Sequence, residues 1–158
     1  MSLEFPQRYQ VNATAGPAGD VVLLGDGLRA LRSQAPAQFG GPGDKWSPET
    51  LLMGAIADCY VLTFRAVARA MSLPWLSIEC AADGTLDRVD RVTQFTALRL
   101  RAYLRVAAGA DEDSARRVLL RTKERCLITH SLKAPCTLEA FVDVADAASA
   151  AADSQACA

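Results

Sequence analysis

Cysteine carries most of the chemistry available to this chain. It has five, Cys59, Cys80, Cys126, Cys136 and Cys157, against a single histidine, His130. No two cysteines are spaced CxxC, so a tetrahedral zinc site lacks its usual clustered ligands. A thiol can serve instead as a nucleophile or redox centre, which requires a stabilised thiolate. Cys126 follows Arg121, Lys123 and Arg125. A helix starting at Cys126 would add free amides to that charge. Both effects predict a lowered thiol pKa. A solvated basic helix face accounts for the same three cations. Cys59 lies within an apolar stretch, in Ala57-Asp58-Cys59-Tyr60. Cys80, Cys136 and Cys157 read as packing residues, since free cysteine is among the most buried residue types.

Two further residues have two readings each. His130 stands four residues after Cys126 and would share a helical face with it, which suits a Cys–His pair. A lone histidine with no carboxylate nearby in sequence equally suits a structural role. Glu49 suits the positive end of a helix dipole. It also suits the orientation of an arginine. Ten residues separate it from Cys59, about 15 Å along a continuous helix. Glu49 therefore cannot reach its own Cys59 unless the helix breaks near Gly54 or the contact crosses a dimer interface.

The elements that must position these residues are readable in outline. Residues 8–15 and 20–24 are β-prone and flank Gly16, Pro17 and Gly19, which predicts a hairpin. Residues 25–46 read as loop, with the turn cluster Phe39-Gly40-Gly41-Pro42-Gly43-Asp44. Ser47, Pro48 and Glu49 make a helix start. The helix over 48–71 is apolar nearly all round, which predicts burial on nearly all sides. Pro74 ends it. Residues 76–82 and 85–107 read as strands divided by a turn at Asp83-Gly84. In the second, Thr96, Leu98, Leu100, Ala102, Leu104 and Val106 share one face and Arg99, Arg101, Tyr103 and Arg105 the other. Asp111, Glu112 and Asp113 open a helix that Arg121, Lys123 and Arg125 close. A short helix over 126–133 and a strand over 137–144 complete the order.

Segregated strands and helices predict an α+β fold with antiparallel sheets around the long central apolar helix. One helix apolar on all sides is hard to cover in a chain of 158 residues, and an obligate dimer that sandwiches it would cover it. Residues 1–144 read as a single domain and 145–158 as a frayed tail. Charged residues make up 22% and the net charge is −1, a balance that does not favour nucleic acid or an anionic membrane as a partner. No uninterrupted run of 18 apolar residues marks a membrane span. The first ten residues lack a signal pattern. With an odd number of thiols, the expectation is a reduced cytoplasmic chain.

Three segments together resemble a known family. Trp46-Ser47-Pro48-Glu49-Thr50-Leu51-Leu52, Ala57-Asp58-Cys59-Tyr60 and Cys126-Leu127-Ile128-Thr129-His130-Ser131-Leu132 resemble motifs of the OsmC/Ohr family of peroxide-reducing proteins. The β-β-α-β-β-α-α-β order agrees over roughly residues 8–144. The resemblance implies a tightly intertwined homodimer with two thiol sites at its interface, with Cys59 reactive and Cys126 resolving, and with neither metal nor flavin cofactor. A small-molecule peroxide would oxidise Cys59, Cys126 would close a disulfide, and a lipoyl or thioredoxin-type dithiol would restore both. On this reading Cys59 and Cys126 lie close together and the other cysteines far from both.

The chain departs from the family at one place. Well-characterised members pair the motif glutamate with an N-terminal arginine, and Ala13-Thr14-Ala15-Gly16-Pro17 offers none. A thiolate in an apolar helix needs a compensating cation, so Glu49 is expected to pair with Arg32, or with Arg29 or Arg8, on the same or a partner chain. The alternative function is a non-enzymatic dimeric module that senses redox state or binds a small apolar ligand.

Overall fold

The computed structural model describes residues 4–146. The chain forms two compact units, Met1–Leu52 and Met53–Ala158.

The first unit is an antiparallel three-stranded sheet: β1 (Asn12–Thr14), β2 (Val21–Leu24) and β3 (Leu31–Ser33). The expected hairpin is present. The segment read as loop contains β3 and a 3₁₀ turn over Ala37–Phe39. Strand β3 is too short for a periodic signal. After β3 the chain turns back on itself. The Gly41 amide donates to the Pro36 carbonyl at 3.1 Å. A Cβ on Gly41 would sit 1.6 Å from the Ala35 carbonyl oxygen, so this return requires glycine. Gln34 then donates to the Trp46 carbonyl at 2.9 Å, and Ser33 bridges to Trp46. These contacts bring the start of the long helix beside β3.

That helix, α1 (Pro48–Ala70), is unbroken through Gly54. Ser47 and Thr50 cap it reciprocally. The Thr50 amide donates to the Ser47 hydroxyl at 3.3 Å, and the Ser47 amide donates to the Thr50 hydroxyl at 2.8 Å. This is a capping box with threonine in place of the acidic residue.

In the second unit, α1 buries one stripe: Ile56, Tyr60, Phe64, Val67 and Ala68. Phe64 meets Trp75 edge to face at 5.2 Å. Burial on nearly all sides is not what a single chain provides. Ala55, Asp58, Arg65 and Arg69 are exposed, and Leu62 is 52% exposed. Across its most apolar window α1 has a mean hydropathy of 1.6, enough by length and composition to pass for a membrane span. Core helices of soluble proteins share this property.

Strand β4 (Trp75–Val89) pairs antiparallel with β5 (Val92–Val106). The turn expected at Asp83-Gly84 lies instead at Asp90-Arg91, both with positive φ, as a two-residue hairpin turn requires. Gly84 is an interior strand residue. A Cβ there would meet Met53 and Phe95 side-chain atoms at 2.8 Å, so it marks a close approach rather than a turn. Asp83 pairs across the ladder with Arg101 at 2.9 Å and Arg99 at 3.5 Å.

The period-two reading of β5 holds. Leu98, Leu100, Ala102, Leu104 and Val106 are all buried. Helix α2 (Glu112–Arg125) and the short α3 (Leu127–His130) lead to β6 (Cys136–Val144). β6 pairs with β5 in parallel, so this sheet is mixed rather than antiparallel throughout. A parallel return needs a long crossover, and the two helices supply it. Asp111 caps α2 by accepting the Ser114 amide at 2.9 Å. Ala145, expected to begin the frayed tail, is buried and donates to Val106 at 3.0 Å. The remainder of that tail, with Cys157, lies outside the described residues.

Candidate functional site

Cys126 occupies the joint between α2 and α3, where one extended residue separates the helices. It shares the inward face of α2 with Val118, Leu119 and Thr122, all fully buried. Arg121 and Arg125, five residues and one residue before it, face water. This overturns the expected lowering of the Cys126 pKa. Burial is the leading influence and pushes the thiol up. The Thr129 amide and hydroxyl oppose it by hydrogen bonding, and the thiol of Cys59 adds to the rise. The three cations are on the right segment but do not govern this thiol.

Cys59 and Cys126 are therefore neighbours, as expected. Both are free thiols. Cys59 is part-buried on α1, with the Thr63 hydroxyl 4.0 Å from its sulfur. Tyr60, next in sequence, is fully buried and donates to the Leu119 carbonyl at 3.0 Å. That bond ties α1 to α2 beside the thiol pair.

Cys80 and Cys136, expected far from both thiols, are close enough to feel Cys126. Burial raises the Cys80 thiol to about 12, and the charges of Cys126 and Cys136 add to it. Burial raises Cys136 as well, opposed by Lys123 and reinforced by Cys126. Cys80 lies opposite Ala102, and Cys136 opposite Leu98. Both cysteines thus sit on the core-facing register of β5. Sequence reasoning missed them because the pairing of β4 and β6 with β5 cannot be read from either strand alone. Among the described residues no group of three or more metal-ligating side chains could hold an ion. His130 is exposed while Cys126 is fully buried, so their spacing does not place them in one pair.

In the first unit, Glu49 lies beside an apolar cavity of about 540 Å³, lined also by Ala13, Val21, Leu23, Phe39 and Leu51. Its Oε2 atom is shut off from water and has no hydrogen-bond partner. The expected Arg32–Glu49 pair is not formed within the chain. Arg32 donates instead to Asp20 at 3.1 Å, where Gln34 and Lys45 also converge. Asp20 immediately precedes β2, whose Val22 is paired with Arg32 of β3, whereas Glu49 belongs to the helix start. Arg29 and Arg8 are exposed.

The OsmC-like protein family model matches residues 41–140, which contain both α1 and the Cys126 segment. Among curated proteins, the chain is 21% identical over 127 residues to the uncharacterised protein YmaD of Bacillus subtilis, covering 78% of this chain and 85% of that one. Solved structures share the fold. An OsmC-like protein of unknown function from Vibrio cholerae superposes with TM-score 0.79 at 16% identity, over 86% of this chain and all of that one. An organic hydroperoxide resistance protein OsmC from Legionella pneumophila gives 0.70 at 21%, and one from Elizabethkingia anophelis gives 0.70 at 14%. Each covers 89% of this chain and the whole of the other.

Proposed function

This chain belongs to the OsmC-like protein family, and from that membership we propose that it is a thiol-dependent peroxidase. Its substrates are organic hydroperoxides or hydrogen peroxide. The observation that supports this most is the adjacency of the Cys59 and Cys126 thiols. Two neighbouring free thiols are the pair that a disulfide intermediate requires.

The steps balance without a metal or flavin. The Cys59 thiolate attacks the outer oxygen of the peroxide, the O–O bond breaks, and the leaving alkoxide takes up a proton to become the alcohol. Cys59 is now a sulfenic acid. The Cys126 sulfur displaces its oxygen as water, and the Cys59–Cys126 disulfide forms. An external dithiol of the lipoyl or thioredoxin type reduces that disulfide and is itself oxidised to a disulfide. Cys59 has the attacking role because it is the less buried of the two thiols.

The protein acts as a homodimer in this reading, because the Leu62 side of α1 is left uncovered in one copy. Glu49 is ten residues from Cys59 on an unbroken helix, about 15 Å away, so it would serve the thiol of a second copy. Free thiols suit the cytoplasm.

The second reading is a dimeric redox-sensing or ligand-binding module that does not turn over. The unpartnered Oε2 of Glu49 favours it, since among the described residues no arginine donates to that oxygen. A peroxide-consumption assay with dihydrolipoamide and with thioredoxin separates the two. Sustained turnover with either reductant supports the peroxidase. A single stoichiometric oxidation supports the sensor.

A further inference from the structure

A groove of about 440 Å³ lies beside the α2–α3 joint, and neither Cys59 nor Cys126 lines it. That volume falls within the roughly 300–1,000 Å³ typical of small-molecule sites. Three successive segments each bring a basic side chain to it: Lys123 from α2, His130 from the end of α3, and Lys133 from the loop before β6. Glu124 is the one carboxylate in the lining. Among the described residues neither lysine is paired with a carboxylate. Two lysines against one glutamate leave the lining positive even with His130 neutral. The charge of Lys123 reaches across to the start of β6, where it opposes the effect of burial on the Cys136 thiol.

The walls are held in place. Thr129, part of the lining, is 7% exposed and donates its hydroxyl to the Cys126 carbonyl at 3.0 Å. The Leu132 amide donates to the Thr129 carbonyl at 3.3 Å, and the Leu98 amide to the Pro135 carbonyl at 2.9 Å. Between these anchors the amides of Lys133 and Ala134 donate to no group among the described residues.

A helix dipole accounts for Lys123 and His130 singly, each in the last turn of its helix. It does not account for Lys133, or for the convergence of all three on one groove. Donors on three segments call for a ligand that accepts from several directions. A carboxylate presents two oxygens in one plane. A phosphate monoester presents three around a tetrahedral centre and carries close to two negative charges at neutral pH. We propose that this groove binds a small phosphate monoester. Lys123, Lys133 and His130 hold the phosphate, and the organic part packs against Leu132 and Pro135. The site stands apart from the thiols, so a protein inert towards peroxides would still bind the ester.

The test is amide NMR titration of the full chain at neutral pH with n-butyl phosphate, inorganic phosphate and pentanoate, at ionic strength matched with sodium chloride. The Lys133 and Ala134 amides and the His130 ring should shift with butyl phosphate, and inorganic phosphate should compete for the same resonances. Pentanoate should bind about tenfold more weakly, since it forfeits at least one charge-assisted hydrogen bond. Lys123→Met and Lys133→Met should each weaken butyl phosphate about tenfold for the same reason. Arg121→Met removes the same charge from an exposed position of α2 outside the groove, and should leave the affinity unchanged. Bound ester should also shield Cys136 from iodoacetamide. Unmoved Lys133 and Ala134 amides, or pentanoate binding as tightly as the ester, would overturn the proposal. So would an equal loss in all three variants, which marks diffuse attraction to a basic surface.

Discussion

Arg32 and Asp20 form an ion pair at the end of the β2–β3 ladder, 3.1 Å apart, with the carboxylate side chain only 15% exposed. Hydrogen bonds from Gln34 and then Arg32 hold the Asp20 carboxyl below its ordinary value of 3.8, against the opposing effect of burial and with a lesser contribution from Lys45. A carboxyl with a depressed folded-state pKa stabilises the protein above its unfolded value, and that stability is lost as pH falls through the folded one. Asp20→Asn should therefore flatten the acid limb of the melting temperature below about pH 4, with little change in its slope between pH 6 and 8. An unaltered acid limb would show that this cluster does not matter to the fold.

The buried thiols predict an order of alkylation. Cys80 is raised to about 12 by burial first, so at pH 8 roughly one thiol in 10⁴ is ionised. Cys126 is also raised. Peptide mapping after iodoacetamide at pH 8 should find both unmodified in the reduced, folded protein. Labelling of Cys80 at the rate of a free thiol would contradict its placement inside the sheet.

Gly84 tests the strand boundary. An added methyl must displace Met53 and Phe95, so Gly84→Ala should cost about 1–3 kcal/mol by overpacking. A turn glycine with ordinary φ and open space at its Cβ would change stability by no more than about 0.5 kcal/mol. Denaturant unfolding decides between them.

The Tyr60 hydroxyl is the buried link from α1 to α2. Tyr60→Phe should lower stability by about 0.5–1.5 kcal/mol, the net worth of one such bond. Thiol oxidation should be unchanged in this variant, because the tyrosine ring keeps the helices in place. A loss of stability below about 0.3 kcal/mol would mean that water replaces the bond at no cost.

What could be read from the sequence depended on how far each signal reaches along the chain. The ends of α2 are local, because Asp111 caps a residue three positions away. The inward face of β5 is equally local, since period two needs only that strand. Gly84 is different. Its reason is Met53, 31 residues earlier, and Asp-Gly by itself reads as a turn. The parallel β5–β6 pairing was hidden by the two helices between the strands. Cys126 shows the limit most clearly. Its basic neighbours are visible in sequence, but whether they share its face depends on how α2 packs. For Arg32, sequence could not choose between Asp20 and Glu49.

The central claim is the Cys59–Cys126 disulfide cycle, and a single oxidation tests it most directly. Reduced protein is treated with one equivalent of cumene hydroperoxide, its remaining thiols are counted, and the crosslinked peptides are identified by mass spectrometry. The cycle requires the loss of two thiols per chain, one peptide joining Cys59 to Cys126, and no loss in Cys59→Ser. An unchanged thiol count in the wild type, an undiminished loss in Cys59→Ser, or a crosslink from Cys126 to Cys80 or Cys136 instead would contradict it.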